Sequence, residues 1–291
     1  MKNLKTVVKS TGIIALSVLL FQCNMGSKDM SKKDGADMTD TVDTQNEEAS
    51  ISDEKTLLAI FAHPDDELTV APILAKYVAE GTKVYLVIST DGRYGTNEHS
   101  DLKAGDGLAA IRRDEMQCSA DHLGLELIHL EYHDQLKSGE GYDGHMPHIR
   151  SLMKEVHGII DNMQPDAIIT FGPDGWSNHM DHRLVGATVT QVVLSQLWTK
   201  PPNLYYVGTP SDLLDDPESK ILRGQDRSYL TYKITYTDEQ RNQAYKALAC
   251  HKSQFGEDGL ERMKTRDAAK ENAVYLRKFD HQTELKNSVF E

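Results

Sequence analysis

Nearly continuous apolar runs alternate with amphipathic stretches from residue 55 onward, and this limits the folds open to the chain. Val84-Tyr85-Leu86-Val87-Ile88 and Ala167-Ile168-Ile169-Thr170-Phe171 carry almost no polar side chain. A strand with one wet face would alternate, so runs this apolar are covered on both faces. Strands are predicted over Thr56–Ala62, Lys83–Ser89, Glu126–Leu130 and Asp166–Phe171. Helical periodicity fills the gaps at Leu68–Glu80, Leu108–Leu123 and Ile149–Met163, with a further helix over about His182–Trp198. Gly81 and Gly124 stand where helix C-caps fall. This order calls for right-handed crossovers. The expected class is therefore α/β, a Rossmann-like doubly wound, mostly parallel sheet with helices on both faces, forming one catalytic domain over 55–291. After Pro201 the pattern is less regular, with a strand at Tyr229–Tyr236 and helices near Asp238–His251 and Asp258–Phe279.

Residues 1–54 are of another kind. Lys2, Lys5 and Lys9 precede an apolar stretch from Thr11 to Phe21, the layout of an export signal over 1–22. The stretch is short for a membrane span. It ends at Leu20-Phe21-Gln22-Cys23, which resembles a loose lipobox. The expectation is a lipidated Cys23 on an exported bacterial lipoprotein facing the periplasm or cell exterior, with a plain signal anchor as the alternative. Residues 23–54 are polar and lack aromatic side chains, so they read as a tether with too little apolar surface to order itself. The formal charge of −13 and the lack of a basic stripe exclude nucleic acid as a partner. Cys118 and Cys250 read as isolated buried thiols, and pairing stays open because sequence supplies no geometry.

Chemistry gathers in two loops. Ala62-His63-Pro64-Asp65-Asp66-Glu67 follows the first strand. Adjacent carboxylates repel one another and resist desolvation unless a cation or proton intervenes, and a divalent metal is the simplest remedy. Gly172-Pro173-Asp174-Gly175-Trp176-Ser177-Asn178-His179-Met180-Asp181-His182-Arg183 follows the Asp166–Phe171 strand. Ligand sites in doubly wound sheets lie beyond the carboxyl ends of the strands, so both loops should open on one edge.

Together the two loops resemble the PIG-L (LmbE-like) family of zinc-dependent de-N-acetylases, through Ala-His-Pro-Asp-Asp-Glu and the His-x-Asp-His core. The resemblance implies that His63, Asp66 and His182 hold the metal, Zn2+, while ferrous iron suits the same ligands. It implies that Asp65 is the general base and that His179 stabilises the oxyanion or protonates the leaving amine. Two imidazoles and one carboxylate leave a zinc with an open position, which agrees. His179 and His182 are three apart and share a helical face. Asp181 would hold the His179 ring, Pro64 would set the backbone at a helix start, and Glu67 would cap or buttress.

The same resemblance points Arg112 toward substrate, with a solvated salt-bridging face as the alternative. It suggests Asp134 as a sugar contact and His251, in His251-Lys252-Ser253-Gln254, as a pocket residue. Arg93 stands where the family often has Glu. His145-Met146-Pro147-His148 has no acidic companion and stays unassigned. The implied reaction is hydrolysis of an N-acetyl or other N-acyl amide on an amino sugar or glycoconjugate outside the cytoplasm. The alternatives are an amidase for another N-acyl substrate, peptide or antibiotic-like, and a catalytically silent metal-dependent carbohydrate-binding lipoprotein.

Overall fold

The computed structural model describes residues 54–268, 271–281 and 284–290. The expected export signal, Cys23 and nearly all of the tether lie outside the described residues. The strands are β1 (Thr56–Phe61), β2 (Lys83–Thr90), β3 (Glu126–Tyr132), β4 (Ala167–Phe171), β5 (Asn203–Pro210), β6 (Gly224–Gln225), β7 (Tyr232–Thr235) and β8 (Ala273–Phe279). The helices are α1 (Ala71–Ala79), α2 (Asp106–Leu123), α3 (Gly141–Met163), α4 (Met180–Ser195), α5 (Pro217–Arg223), α6 (Asp238–Cys250) and α7 (Gly259–Ala268). The sheet order is β3-β2-β1-β4-β5-β8-β7, with β6 paired to β5. Strands β1 to β5 run parallel, and β8 runs antiparallel to both β5 and β7. The α/β class and the mostly parallel sheet are as expected.

The two-residue strand period divides the core. Leu57, Ala59 and Phe61 pack on one face with apolar side chains of α1, α2 and α6, including Ile73, Met116 and Ala247. Leu58, Ile60 and Ala62 pack on the other with Leu152, Val156 and Ile160 of α3 and Val185 and Val189 of α4. Burying each large side chain contributes about 1.5–3 kcal/mol, and after the half-buried Thr56 every residue of β1 is apolar and buried. Its register is fixed on both sides, since Leu57 lies opposite Val84 of β2 and Ala167 of β4. The chain winds outward through β2 and β3, then returns to the far side of β1 as β4. The reversal opens a crevice at the carboxyl ends of β1 and β4. Both motif loops leave from those two ends.

Three expectations are corrected. The helix expected over Asp258–Phe279 stops at Ala268, and Ala273–Phe279 is strand β8. Asn272, at φ 47°, turns the chain between them. Ala273 to Leu276 are all buried, seated between β5 and β7, so tertiary packing overrides helical continuation. Strand β5 was not anticipated, although Leu204, Tyr206 and Val207 are buried in it. Cys118 and Cys250 are not isolated thiols: they form a disulfide between α2 and the last residue of α6, with Cα atoms 5.8 Å apart.

Candidate active site

The loop after β1 is built around Asp66. Its Oδ2 accepts the backbone N–H groups of Ala62 (3.1 Å) and His63 (2.8 Å). Its Oδ1 is left facing His182 Nε2 at 3.0 Å. Burial opposes ionisation, yet the neighbouring His182 and His63 keep the Asp66 carboxyl well below the usual carboxylate range. The loop after β4 brings in His182. Gly186 permits this approach: a Cβ there would lie 2.3 Å from the Phe171 carbonyl oxygen, so only glycine lets α4 rest on the end of β4. The His182 ring then stacks on Phe171, centroids 4.3 Å apart.

His63 Nδ1 meets His182 Nε2 at 3.2 Å and Asp66 Oδ2 at 3.5 Å. Four-coordinate zinc with bonds of 2.0–2.1 Å separates its ligand atoms by about 3.3 Å, so the spacing fits such an ion. The opposite nitrogens support this arrangement. His63 Nε2 lies 3.1 Å from Asp181 Oδ2 and 3.3 Å from Asp134 Oδ1. His182 Nδ1 lies 3.3 Å from the Gly175 carbonyl, which can only accept, and 2.7 Å from Ser177 Oγ. With each outer nitrogen donating to these partners, both inner nitrogens would be free to offer lone pairs to a cation held with the Asp66 carboxylate. Burial alone would lower the His63 pKa, but hydrogen bonds to Asp134, Asp181 and Asp66 hold it well above the ordinary value.

A rival constellation shares His63. Its Nε2 side, with Asp134 and Asp181, also gathers ligand-type atoms. Three of those four carboxylate oxygens already hold donors, Tyr94 N–H to Asp134 Oδ2 (2.9 Å) and Gln135 N–H to both Asp134 Oδ1 and Asp181 Oδ2 (2.9 Å each), while Asp181 Oδ1 is buried without a partner. The Nδ1 side, with Asp66 Oδ1 and His182 Nε2, is the better cation site.

Asp65 stands beside these atoms but is held elsewhere. Its φ of 105° lies in a region costly for a residue with a side chain. Several groups fix it. Asp65 N–H donates to Glu67 Oε2 (3.0 Å), and Arg112 Nη2 sits 3.2 Å from Asp65 Oδ2. Arg112 also donates to the carbonyls of Pro64 and Gly92. Burial pushes the Asp65 carboxyl up to about 6, against the pull of Arg112 and with the repulsion of Asp66 adding to it. Arg112 is only 3 % exposed, so it is not a solvated face.

The outer histidine is differently placed. His179 caps α4, its Nδ1 accepting Asp181 N–H at 3.1 Å. A ring that accepts at Nδ1 carries its proton at Nε2. Burial, with the charges of His63 and His182, lowers its pKa. The Asp181 carboxylate does not hold this ring; it faces His63, which corrects the expected pairing. Asp134, expected as a sugar contact, is likewise buried against His63. His251, expected to line the pocket, is fully buried behind the loop, with Nε2 2.7 Å from Glu67 Oε1. Glu67, expected to cap or buttress, links His251 and Ser119 to Asp65. Arg93 binds Asp91 and Asp106 and not the site. A cavity of about 360 Å3 opens at Asp65 and Asp66 and runs between Leu68, Trp176, Val207, Phe255 and Met263.

A family model described as GlcNAc-PI de-N-acetylase, PIG-L, matches residues 58–193. The chain is 29% identical over 175 residues to a 1D-myo-inositol 2-acetamido-2-deoxy-alpha-D-glucopyranoside deacetylase of Mycolicibacterium vanbaalenii, covering 54% of this chain and 61% of that protein. It is 25% identical over 235 residues to a probable N-acetyl-alpha-D-glucosaminyl L-malate deacetylase 2 of Bacillus cereus, covering 78% and 97%. The chain spans about three fifths of the mycobacterial relative and nearly all of the Bacillus one. Among solved structures, N,N'-diacetylchitobiose deacetylase from Pyrococcus horikoshii superposes with a TM-score of 0.58 at 25% identity, covering 78% of this chain and 84% of that one. The 4-carboxy-2-hydroxymuconate hydratase of Pseudomonas putida, at 17% identity, TM-score 0.58 and coverage of 80% and 99%, shares the fold alone. Residues 58–193, which carry both motif loops, are the part of the chain that is similar to the PIG-L (GlcNAc-PI de-N-acetylase) family.

Proposed function

We propose that this protein is a metal-dependent hydrolase that removes an N-acetyl or other N-acyl group from an amino sugar or glycoconjugate outside the cytoplasm. One observation carries the reading: His182 Nε2 lies 3.2 Å from His63 Nδ1 and 3.0 Å from Asp66 Oδ1, with His63 Nδ1 3.5 Å from the other Asp66 oxygen, while the adjacent Asp65 is held apart by Arg112 and Glu67. Zinc held by those three atoms would polarise the amide carbonyl and acidify a water, and ferrous iron suits the same set.

Asp65 takes the proton of the attacking water. Its raised pKa matches the base to a near-neutral working pH. His179 Nε2–H donates to the oxygen on which negative charge develops. The proton on Asp65 then passes to the departing nitrogen, so amine and carboxylate leave with the atoms of one water added. A catalytically silent binder would need neither group, and both are present.

The apolar walls of the cavity favour one broader reading, that the acyl group or the aglycone carries a hydrophobic portion. Both readings are tested with purified Lys55–Glu291, loaded with zinc and assayed for carboxylate release from glucosamine conjugates of graded N-acyl length. Release from at least one conjugate is expected. No release across the panel, with zinc bound, contradicts the hydrolase reading.

Export with lipidation at Cys23 is part of the proposal. It is supported by the leader pattern and by a disulfide, since disulfides persist in oxidising compartments. No helix among the described residues is long and apolar enough to cross a membrane. Cys23→Ala should release the protein from membranes, and unchanged membrane association argues against the lipid.

A further inference from the structure

We propose that the Cys118–Cys250 disulfide is a positioning clamp for Asp65, acting through Glu67, so that opening it slows turnover while the metal stays bound. The proposal rests on the hydrolase reading above. Two adjacencies motivate it. Cys118 directly precedes Ser119, whose Oγ donates to Glu67 Oε1 at 2.6 Å. Cys250 directly precedes His251, whose Nε2 meets the same oxygen at 2.7 Å. The disulfide therefore joins the backbone neighbours of the two groups that grip one carboxylate oxygen. The other oxygen, Oε2, accepts the N–H of Asp65.

Burial makes this grip consequential. Ser119, Glu67 and His251 are each 0 % exposed, so water does not replace a bond that lengthens. Asp65 is kept at φ 105°, a conformation that persists only where its surroundings over-determine it. A small shift of α6 against α2 moves Ser119 and His251 apart, loosens Glu67 and releases Asp65. The fold does not depend on the disulfide alone. Glu115 of α2 also binds Ser253 through its N–H (2.7 Å) and Oγ (2.6 Å), a tie that survives reduction. A bond placed elsewhere between α2 and α6 would join them equally well, yet would not touch the pair that holds Glu67.

The test uses the full chain, oxidised and zinc-loaded, before and after treatment with a water-soluble phosphine. The phosphine breaks the S–S bond, leaves thiols at Cys118 and Cys250, and becomes a phosphine oxide with oxygen from water. Unlike a dithiol it does not compete for zinc. Turnover is read by carboxylate release well below the thermal midpoint, alongside zinc content and hydrogen exchange over residues 63–70. Reduction should lower kcat by about tenfold to a hundredfold, as small misplacements of a reacting group do. KM and zinc content should hold, exchange at 63–70 should quicken, and reoxidation should restore kcat. The Cys118→Ser/Cys250→Ser variant should behave like the reduced enzyme, and the phosphine arm stands if that variant does not fold.

In Asp65→Asn, reduction should cost no further residual turnover, because clamp and base act as one unit. A lowered thermal midpoint with unchanged kcat and unchanged exchange at 63–70 would make the disulfide a plain staple and overturn the clamp. Zinc lost together with activity overturns it as well. If the oxidised enzyme releases no carboxylate from any N-acyl sugar, the hydrolase reading is what has failed, and exchange at 63–70 still decides the clamp.

Discussion

The two loops that make the site are held in opposite ways. After β1, Asp65 and its neighbours are tied by Glu67, Arg112, His251 and Ser119, most of them out of water. After β4, His179 is exposed and tied by one backbone N–H, from Asp181. A base must meet its proton in one geometry, which justifies a strained, over-determined residue. A donor to an oxyanion needs only to reach a charge that appears during reaction. On the proposed reading, the rigid side handles the proton and the open side meets the substrate.

Substitutions break or sharpen this contrast, and the largest effect belongs to the rigid side. Asp65→Asn should lower kcat by about a thousandfold, within the range of general-base removal, and keep its zinc by elemental analysis. Loss of zinc would mean that Asp65, not Asp66, is the ligand. On the open side, His179→Ala should lower kcat by about a hundredfold, the scale of one oxyanion donor. Zinc content should hold, and loss of the α4 cap should cost only about 1 kcal/mol by urea unfolding.

Glu67→Ala tests the support of the rigid side. Removing one partner of a fully buried pair costs about 3–5 kcal/mol, read by urea unfolding, and kcat should fall with it. That pair also predicts a pH dependence. Burial lowers the His251 pKa, but Glu67 outweighs burial and holds it above the ordinary value. The stability this contributes is complete below the unfolded pKa, about 6.5, and is lost as pH rises through the folded value. Parent protein should lose stability above neutrality, and His251→Gln should flatten that slope. The smallest effect belongs to the decoy pair. His148→Gln should leave zinc and kcat unchanged and stability within about 0.5 kcal/mol.

The rigid side was also the more legible in sequence. Its residues are consecutive, they follow an apolar strand, and the sheet topology places them. Alternating elements predict that both loops open on one sheet edge, whereas the return of β4 across β1, which makes their ends flank the crevice, is seen only in the structure. What sequence concealed lies between distant segments. Glu67 meets His251 across 184 positions, and no local pattern marks such a pair. Asp134 and Asp181 were read as facing substrate or His179, whereas both turn to the outer nitrogen of His63. Polar type alone does not say which side of a ring a carboxylate will take. Strand β8 was missed because its neighbours β5 and β7, not its own propensity, decide its conformation. Sequence leaves the Cys118–Cys250 pairing open for want of a Cα distance. The hydratase of the same fold shows why the site, and not the sheet, must carry the functional argument.

The proposed division of labour around His63 is read from zinc anomalous diffraction on crystals of the zinc-loaded protein. One zinc peak is expected, bonded to His63 Nδ1, Asp66 Oδ1 and His182 Nε2, with Asp65 close by and unbonded. A peak on the opposite nitrogen, His63 Nε2, shared with Asp134 and Asp181, would contradict it.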